Sequence, residues 1–434
     1  MASDTRAVVI GSGISGLLAA WVLADTYAEV VVLERDAVTD RPEPRRGVPQ
    51  GRHAHALLSR GLGALEELFP GFRAELSAAG VPFGDAQSDI SYYVNGRLLK
   101  SGPSGITAAA VSRPTLEHAI RVRVVTHPRI TVRTGRTASG LAAAGERITG
   151  VRVGSEVVPA DLVVDAGGRG RRTIRWLTDL GYPPVPEETV APGMTYVTCR
   201  FAYEPGLLDG LGIIVQSFPG QVYGGAVGRE DSDRIVLGIQ AMLGTGLPTD
   251  PDGLAEVADR LVEPRLARVL REAVPIGPTA TMQFPTSVRR RYERMRRFPE
   301  GYLVVGDALC HFNPIYAQGM TVAALESLLL RDVLRRGPAG LARRFFRPAG
   351  RLVGTPWMVA AGSDLRFPEV EGRRPPGSRL MSAYLGRFYR AAAEDASLAT
   401  TFIRVANLVD PPAKLLSPAS AVRVAQRAGS DLRS

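Results

Sequence analysis

The sequence predicts an α/β fold: a parallel sheet wrapped by helices, a mostly antiparallel sheet inserted into it, and a helical C-terminal region. Three observations predict this. Apolar strand-like runs end in glycine-bearing turns at 7–16, 161–168 and 302–319. Each of these turns leads into a helix-like stretch. Between the second and third, residues 185–297 break into strand-length apolar pieces punctuated by Pro, Gly and Asp, a pattern of sheet rather than helix.

The first stretch, AVVIGSGISGLLAAWVLADTYAEVVVLERD from Ala7 to Asp36, organises the rest. Ala7 to Ile10 suits a buried strand. Gly11, Gly13 and Gly16 then supply G-x-G-x-x-G. The first glycine allows a tight turn, the second lets backbone approach a pyrophosphate, and the third lets helix and sheet pack closely. Ile14 to Ala24 is almost wholly apolar, so this helix is buried on most sides. Its free N–H groups and dipole favour a phosphate. Val30 to Leu33 is the second strand. Glu34 ends it, about twenty residues past the glycines, where a carboxylate holds a ribose diol. The unit reads as a Rossmann-like dinucleotide site; the competing reading is an ordinary glycine turn.

The chain has 434 residues, 45% of them hydrophobic, enough for two or three modules around a large core. No apolar run reaches the ~18 residues of a spanning helix. MASDTRA enters the first strand directly, so a cytoplasmic protein without a signal peptide is expected. Cys199 and Cys310 are the only cysteines, which excludes a disulfide framework. His53 and His55 have no partner at ligand spacing, so no metal site is expected. The net charge of +10 is carried by arginine, Lys100 and Lys414 being the only lysines. The densest clusters, RGRRTIR (169–175) and RRRYERMRR (289–297), lack aromatic interleaving. They read as solvated element ends, not a nucleic-acid surface.

The basic loop RRGVPQGRHAHALLSR (45–60) follows the second strand and enters a helix near His55. It lies over the nucleotide site, where Gln50, Arg52 and His53 touch a cofactor or line a mobile segment; capping roles are the alternative for both histidines. Ile90 to Leu99 is a hairpin turning at Asn95-Gly96. Ser112 or Thr115 caps a helix opening at Arg113-Pro114. Strands at 130–132 and 147–153, joined through Gly145, read as a β-meander. Asp161 to Val164 is a buried strand ending at Asp165, with a helix over 169–180. The sheet of 185–295, with helices from about 251 to 273, roofs a cavity. Tyr302 to Val305 is another buried strand, ended by Gly306-Asp307, and a helix runs from Met320 to Leu334 with its N-terminus at Gln318-Gly319. Asp307 stands where it meets a ribityl chain or a pyrophosphate-bound ion. The divisions are 1–184 and 298–335 for the nucleotide domain, 185–297 for the inserted sheet and 336–434 for the helical region. The amphipathic tail is expected to pack on the core.

GSGISG with Glu34, LVVDAGGRG and GDALCHFNPIYAQGM together resemble the FAD-dependent monooxygenases of the aromatic-hydroxylase superfamily. GVPQGRHAHALL and VSRPTLE are most similar to its bacterial polyether epoxidase and squalene-epoxidase-like branch. The resemblance implies FAD bound by Gly11, Gly13, Ser15 and Gly16 at the pyrophosphate, Glu34 at the ribose and Arg35 by the adenine. It places Arg113 at the flavin's phosphate or ribityl region, Asp307 at the ribityl chain and Asp165 in the family's second Asp-Gly-like element; Gln50 and Arg52 are further candidates for cofactor contact from their loop. Gly319 and Met320 go to the flavin ring, and Pro314 is a further cofactor-binding candidate. Ala317 stands where glycine is usual.

It also implies one oxygen atom passed from O2, through a flavin C4a-hydroperoxide, to a hydrophobic natural-product substrate, such as an antibiotic precursor. The step is epoxidation or hydroxylation. NAD(P)H or a partner flavin reductase supplies electrons, since no second G-x-G-x-x-G unit exists. Met194, Tyr196, Phe201, Phe218, Tyr223 and Phe284 are candidates for an apolar pocket, with core packing the alternative for each. His311 is the candidate catalytic residue, against a buried hydrogen-bonded imidazole. An alkene reductase, a halogenase and a non-enzymatic flavoprotein are the other readings; the resemblance to halogenases lacks their early lysine and paired tryptophans.

Overall fold

The computed structural model describes residues 5–231 and 233–430; Met1–Asp4, the start of the MASDTRA stretch, lie outside them. Five parallel strands form the central sheet. Their order is Tyr302–Val304, Leu162–Asp165, Arg6–Ile10, Glu29–Leu33 and Ile130–Arg133. Ile10 lies between Asp165 and Leu33, so three strand ends stand side by side. The winding reverses at Arg6–Ile10, which opens a crevice at the carboxyl ends of the strands. Helices Ile14–Leu23 and Gly319–Leu334 pack on each other against this sheet. Both begin at the crevice.

Two expectations change here. Ile130–Arg133 is no part of a meander: it is the parallel edge strand beside Glu29–Leu33. Its register is set by hydrogen bonds to that neighbour, which local turn signals do not encode. The meander is instead Gly140–Ala144, Arg147–Val153 and Glu156–Pro159. The helix after the basic loop starts at Ser59, not near His55.

The inserted sheet has seven strands. Their order is Ala280–Phe284, Met194–Ala202, Arg234–Ala241, Tyr223–Glu230, Gly212–Val215, Ile90–Val94 and Arg97–Leu98. It is antiparallel except where Gly212–Val215 runs parallel to Ile90–Val94. The hairpin at Asn95-Gly96 therefore extends this sheet; both residues have positive φ, 54° and 76°, as a tight hairpin turn requires. The outer face is covered by helices Pro251–Ala258 and Arg265–Glu272.

A separate four-stranded sheet joins Cys310–His311, Ser287–Arg290, Glu187–Ala191 and Glu371–Gly372. Arginines 289–291 are not solvated ends, as their sequence suggested. Arg290 is buried and bridges Glu187 at 3.2 Å, while Arg289 and Arg291 pair with Glu188. Opposed strand positions match these charges.

The C-terminal region is helical: Leu341–Leu352, Gly354–Asp364, Ser378–Ala392, Ala396–Ala406 and Pro418–Ser430. Val424 in the last helix joins a core with Phe388, Leu398 and Ile403, so the tail packs on the protein. Among the described residues no helix is long and apolar enough to cross a membrane.

Candidate functional site

One elongated cleft runs along the strand ends and is open to solvent. Gly11, Gly13, Ser15, Glu34, Arg35, Arg113, Asp307, Gly319 and Met320 all line it. So do Gln50, Pro314, Tyr196 and His311. Residues from six separate parts of the chain thus meet on one surface.

The glycine turn explains itself atom by atom. Gly11 has φ +95°, and a Cβ there would press on the carbonyl of Ala166. A side chain at Gly16 would overlap the carbonyl of Gly11. Gly13 differs: the nearest atom to a Cβ would be an Arg113 nitrogen at 3.8 Å. Space therefore remains above the N-terminus of helix Ile14–Leu23. Ser15 packs on Gly306, whose φ is +65°. This contact joins the first turn to the returning segment.

Glu34 ends its strand in the cleft wall. Its Oε2 accepts the Ser12 N–H at 2.9 Å and the Ser12 hydroxyl at 2.7 Å; its Oε1 accepts the Asp36 N–H at 2.9 Å. Arg45 stands 3.1 Å from Oε2. Burial alone would raise this carboxyl, but the bonds from Asp36 and Ser12, with Arg45, outweigh it and hold it down at about 2. Arg45 also bonds Glu117, which Arg121 meets at 2.9 Å. The result is a buried, charge-balanced network below the cleft.

Other expected residues lie elsewhere. Gly16 serves packing and does not line the cleft. Asp165 is fully buried; its carboxylate accepts the N–H of Gly167 and the hydroxyls of Thr173 and Tyr302, at 2.7–2.8 Å. Those bonds stabilise the second glycine turn from behind. Arg52 points outward, giving its carbonyl to Arg200. Phe201 and Tyr223 turn toward the outer helices, because alternation along their strands puts them on that face. Met194 and Phe284 sit in a packed cluster with Phe367 and Val370 and are nearly inaccessible. Phe218 closes the turn with Gln221, against Gly96. Of the six expected pocket residues, Tyr196 alone lines the cleft.

The two histidines of the basic loop divide their tasks. His53 Nδ1 lies 2.9 Å from the Thr198 hydroxyl and its ring meets Tyr196 edge-on, tying the loop to the roof. His55 Nδ1 lies 2.9 Å from the His53 carbonyl, which only accepts, so this nitrogen carries the proton. Burial, then neighbouring arginines, lower His53 to about 4 and His55 to about 3. Both imidazoles are neutral near pH 7, and His55 lines the cleft. His311 is also pushed down, chiefly by burial; its Nδ1 faces the Asp307 carbonyl at 3.2 Å and its ring stands edge-on to Phe284.

Several lining residues carried no separate signal in the sequence: Arg45, Arg136, Arg169, Asn313 and Gln318. Nothing local distinguishes Arg45 from Arg46. Gln318 is 1% exposed, and neither its amide oxygen nor its nitrogen has a partner in the protein. A buried amide left this way costs about 1–3 kcal/mol, which a bound group with both donor and acceptor would recover. FAD offers both in its ring. The open space at Gly13 and the orphaned amide at Gln318 therefore fit that cofactor. No group of three or more potential metal ligands occurs among the described residues. Cys199 and Cys310 are free and buried.

Comparison with known proteins agrees. Residues 9–39 match the NAD(P)-binding Rossmann-like domain. The flavin-dependent brominase Bmp2 superposes with a TM-score of 0.71 at 17% identity, over 99% of this chain and all of that one. HpxO of Klebsiella pneumoniae, solved with FAD and uric acid, gives 0.65 at 17%, over 95% and 98%. PqsL of Pseudomonas aeruginosa, a probable FAD-dependent monooxygenase, gives 0.62 at 18%, over 92% and 99%. Protein Rv3254 of Mycobacterium tuberculosis is 35% identical over 430 residues, 93% of this chain and 90% of that protein. The chain therefore belongs to the family of Protein Rv3254, built on the fold of the flavin-dependent monooxygenases.

Proposed function

We propose that the protein is an FAD-dependent monooxygenase that places one oxygen atom from O2 on a hydrophobic small molecule, by epoxidation or hydroxylation. The observation that carries this is the single cleft shared by the Gly11–Gly16 turn, Glu34, Asp307 and the start of helix Gly319–Leu334. Bound FAD supplies the oxygen chemistry; the protein's residues hold, orient and shield. Helix Ile14–Leu23 offers its N–H groups to the pyrophosphate. Glu34 Oε1 retains acceptor capacity for a ribose hydroxyl. Asp307 faces the ribityl region. Gly319 and Met320 offer N–H groups at the ring, and Gln318 offers its amide. The roof, through Tyr196 and the His53–Thr198 bond, keeps water from the ring.

Among the described residues the cleft holds two imidazoles, His55 and His311, and no aspartate–histidine side-chain pair at bonding distance. This suits oxygen transfer to an electron-rich carbon better than acyl or phosphoryl transfer. Lys100 is exposed and lines no part of the cleft, which weighs against the halogenase reading. Electrons come from NAD(P)H or from a partner reductase. The test is direct. The purified yellow protein is incubated with NADPH, with and without a flavin reductase, under 18O2 and with a panel of alkenes and phenols. One labelled oxygen in a product supports the reading. Flavin turnover that labels no substrate overturns it, and alkene saturation without oxygen marks a reductase.

A further inference from the structure

Asp364 is the last residue of helix Gly354–Asp364, in the C-terminal region that the cofactor reading leaves without a task. Its side chain is completely buried. It lies beside the apolar cluster of Met194, Phe284, Phe367 and Val370, where the roof, the helical region and the returning segment meet. Its Oδ1 accepts the Tyr316 hydroxyl at 2.8 Å and the Asn313 amide at 3.0 Å. Its Oδ2 has no partner.

Apart from these two hydrogen bonds, the placement is unfavourable for a carboxylate. Burial penalises the charge. A helix C-terminus repels it. An unpaired buried acceptor costs about 1–3 kcal/mol. An asparagine would satisfy the same two donors at less cost. Such a group in a native protein calls for an explanation in function.

The two donors point to one. Asn313 and Tyr316 flank the segment Asn313–Ala317, and Asn313, Pro314 and Ala317 all line the cleft. Asn313 also caps the short turn Pro314–Tyr316 through Ile315 N–H. Ala317 holds a left-handed conformation at φ 53°, so the segment is strained and needs anchoring. Asp364 is that anchor, reaching it from behind.

We propose that Asp364 is a positioning residue: it fixes the Asn313–Ala317 segment against the cofactor, and its protonation state sets where that segment rests. The inference rests on the cofactor reading above. Burial raises this carboxyl from its ordinary range to about 7, against the two hydrogen bonds that lower it. Tyr316 is the one titratable group bonded to it; Tyr389, from helix Ser378–Ala392, bears on Tyr316, and Arg366 stacks on Tyr389. Below neutrality the proton sits on Oδ2 and the acid is neutral. Above it the unpaired charge pulls more strongly on the hydroxyl of Tyr316 and the amide of Asn313.

The experiment uses full-length protein with FAD. The visible spectrum of the bound flavin and its dissociation constant are followed from about pH 5.5 to 8.5 in wild type, D364N, D364L and Y316F. Wild type should show an ionisation in the flavin spectrum near pH 7, distinct from any near pH 8 that Glu326 contributes. D364N should bind FAD within about 3-fold of wild type and lose that ionisation. Y316F should keep it at higher pH, because a donor to the carboxylate is gone. D364L should weaken FAD by about tenfold or more; if circular dichroism shows it unfolded, D364N decides. A wild-type spectrum without the ionisation near pH 7, or that ionisation persisting unchanged in D364N, overturns the inference and leaves the cofactor reading intact. A wild type that takes up no FAD at any pH overturns both.

Discussion

The carboxylate of Glu34 holds Ser12 twice, through its backbone N–H at 2.9 Å and its hydroxyl at 2.7 Å, across 22 residues of chain. The end of one strand is thereby bolted to the turn after its neighbour. The bond has a pH signature. The carboxyl is depressed from 4.5 to about 2, so its contribution is present above the unfolded value and is lost as pH falls through the folded one. Glu34→Gln should cost roughly 3 kcal/mol near neutrality, with the gap to wild type closing toward pH ~2. Urea unfolding at several pH values checks this. A gap independent of pH would assign the loss to packing.

Glu326 has the opposite sign. It is buried in helix Gly319–Leu334, accepts the Gly306 N–H at 2.7 Å, and its other oxygen is unpaired. Burial raises it from 4.5 to about 8. The folded state thus keeps a proton that the unfolded state loses, and stability falls as pH rises between those values. Glu326→Gln retains an acceptor for Gly306. Relative to wild type it should gain stability by up to ~1.4 kcal/mol per pH unit over that window, measured by thermal melts from pH 5 to 8.5.

Gly13 and Gly16 separate binding from folding. Gly13 has φ −70° and open space above it. Gly13→Ala should melt within ~2 °C of wild type while its FAD dissociation constant rises about tenfold or more. Gly16→Ala forces a methyl into the carbonyl of Gly11 and should cost ~1–3 kcal/mol or more before cofactor is considered. Equal behaviour of the two variants in melts and titrations would contradict this division.

Ala317→Gly should stabilise the cofactor-free protein by about 1 kcal/mol, because φ 53° costs alanine more than glycine. The same change removes a methyl from the cleft wall, so the visible spectrum of bound FAD should shift with it. Chemical denaturation and a spectrum suffice.

The sequence disclosed the nucleotide end of the cleft because that chemistry is local. Turn, helix N-terminus and acid lie within one stretch, and Gly11, Gly13 and Glu34 meet in the cleft. The roof was less legible. Composition showed strands, but which face each residue takes depends on register with neighbours far away in sequence. Phe201 and Tyr223 point to the outer helices for that reason. Asp165 was expected from the resemblance alone; it is buried, and its bonds to Thr173 and Tyr302 are set by packing. Arg45 carries no distinguishing local pattern, and for Gln318 the sequence marks a helix start but not the unpartnered amide; only the assembled cleft shows both roles.

Strand Gly212–Val215 completes its hydrogen bonding with Ile90–Val94, from the opposite side of the nucleotide fold in sequence. The roof is therefore completed by main-chain bonds to a hairpin that comes from the first part of the chain. A fragment cut at 185–297 would present a bare strand edge and a half-covered apolar surface, and should aggregate when expressed alone. Chimeras meant to exchange specificity between relatives must carry the 90–98 hairpin with the roof.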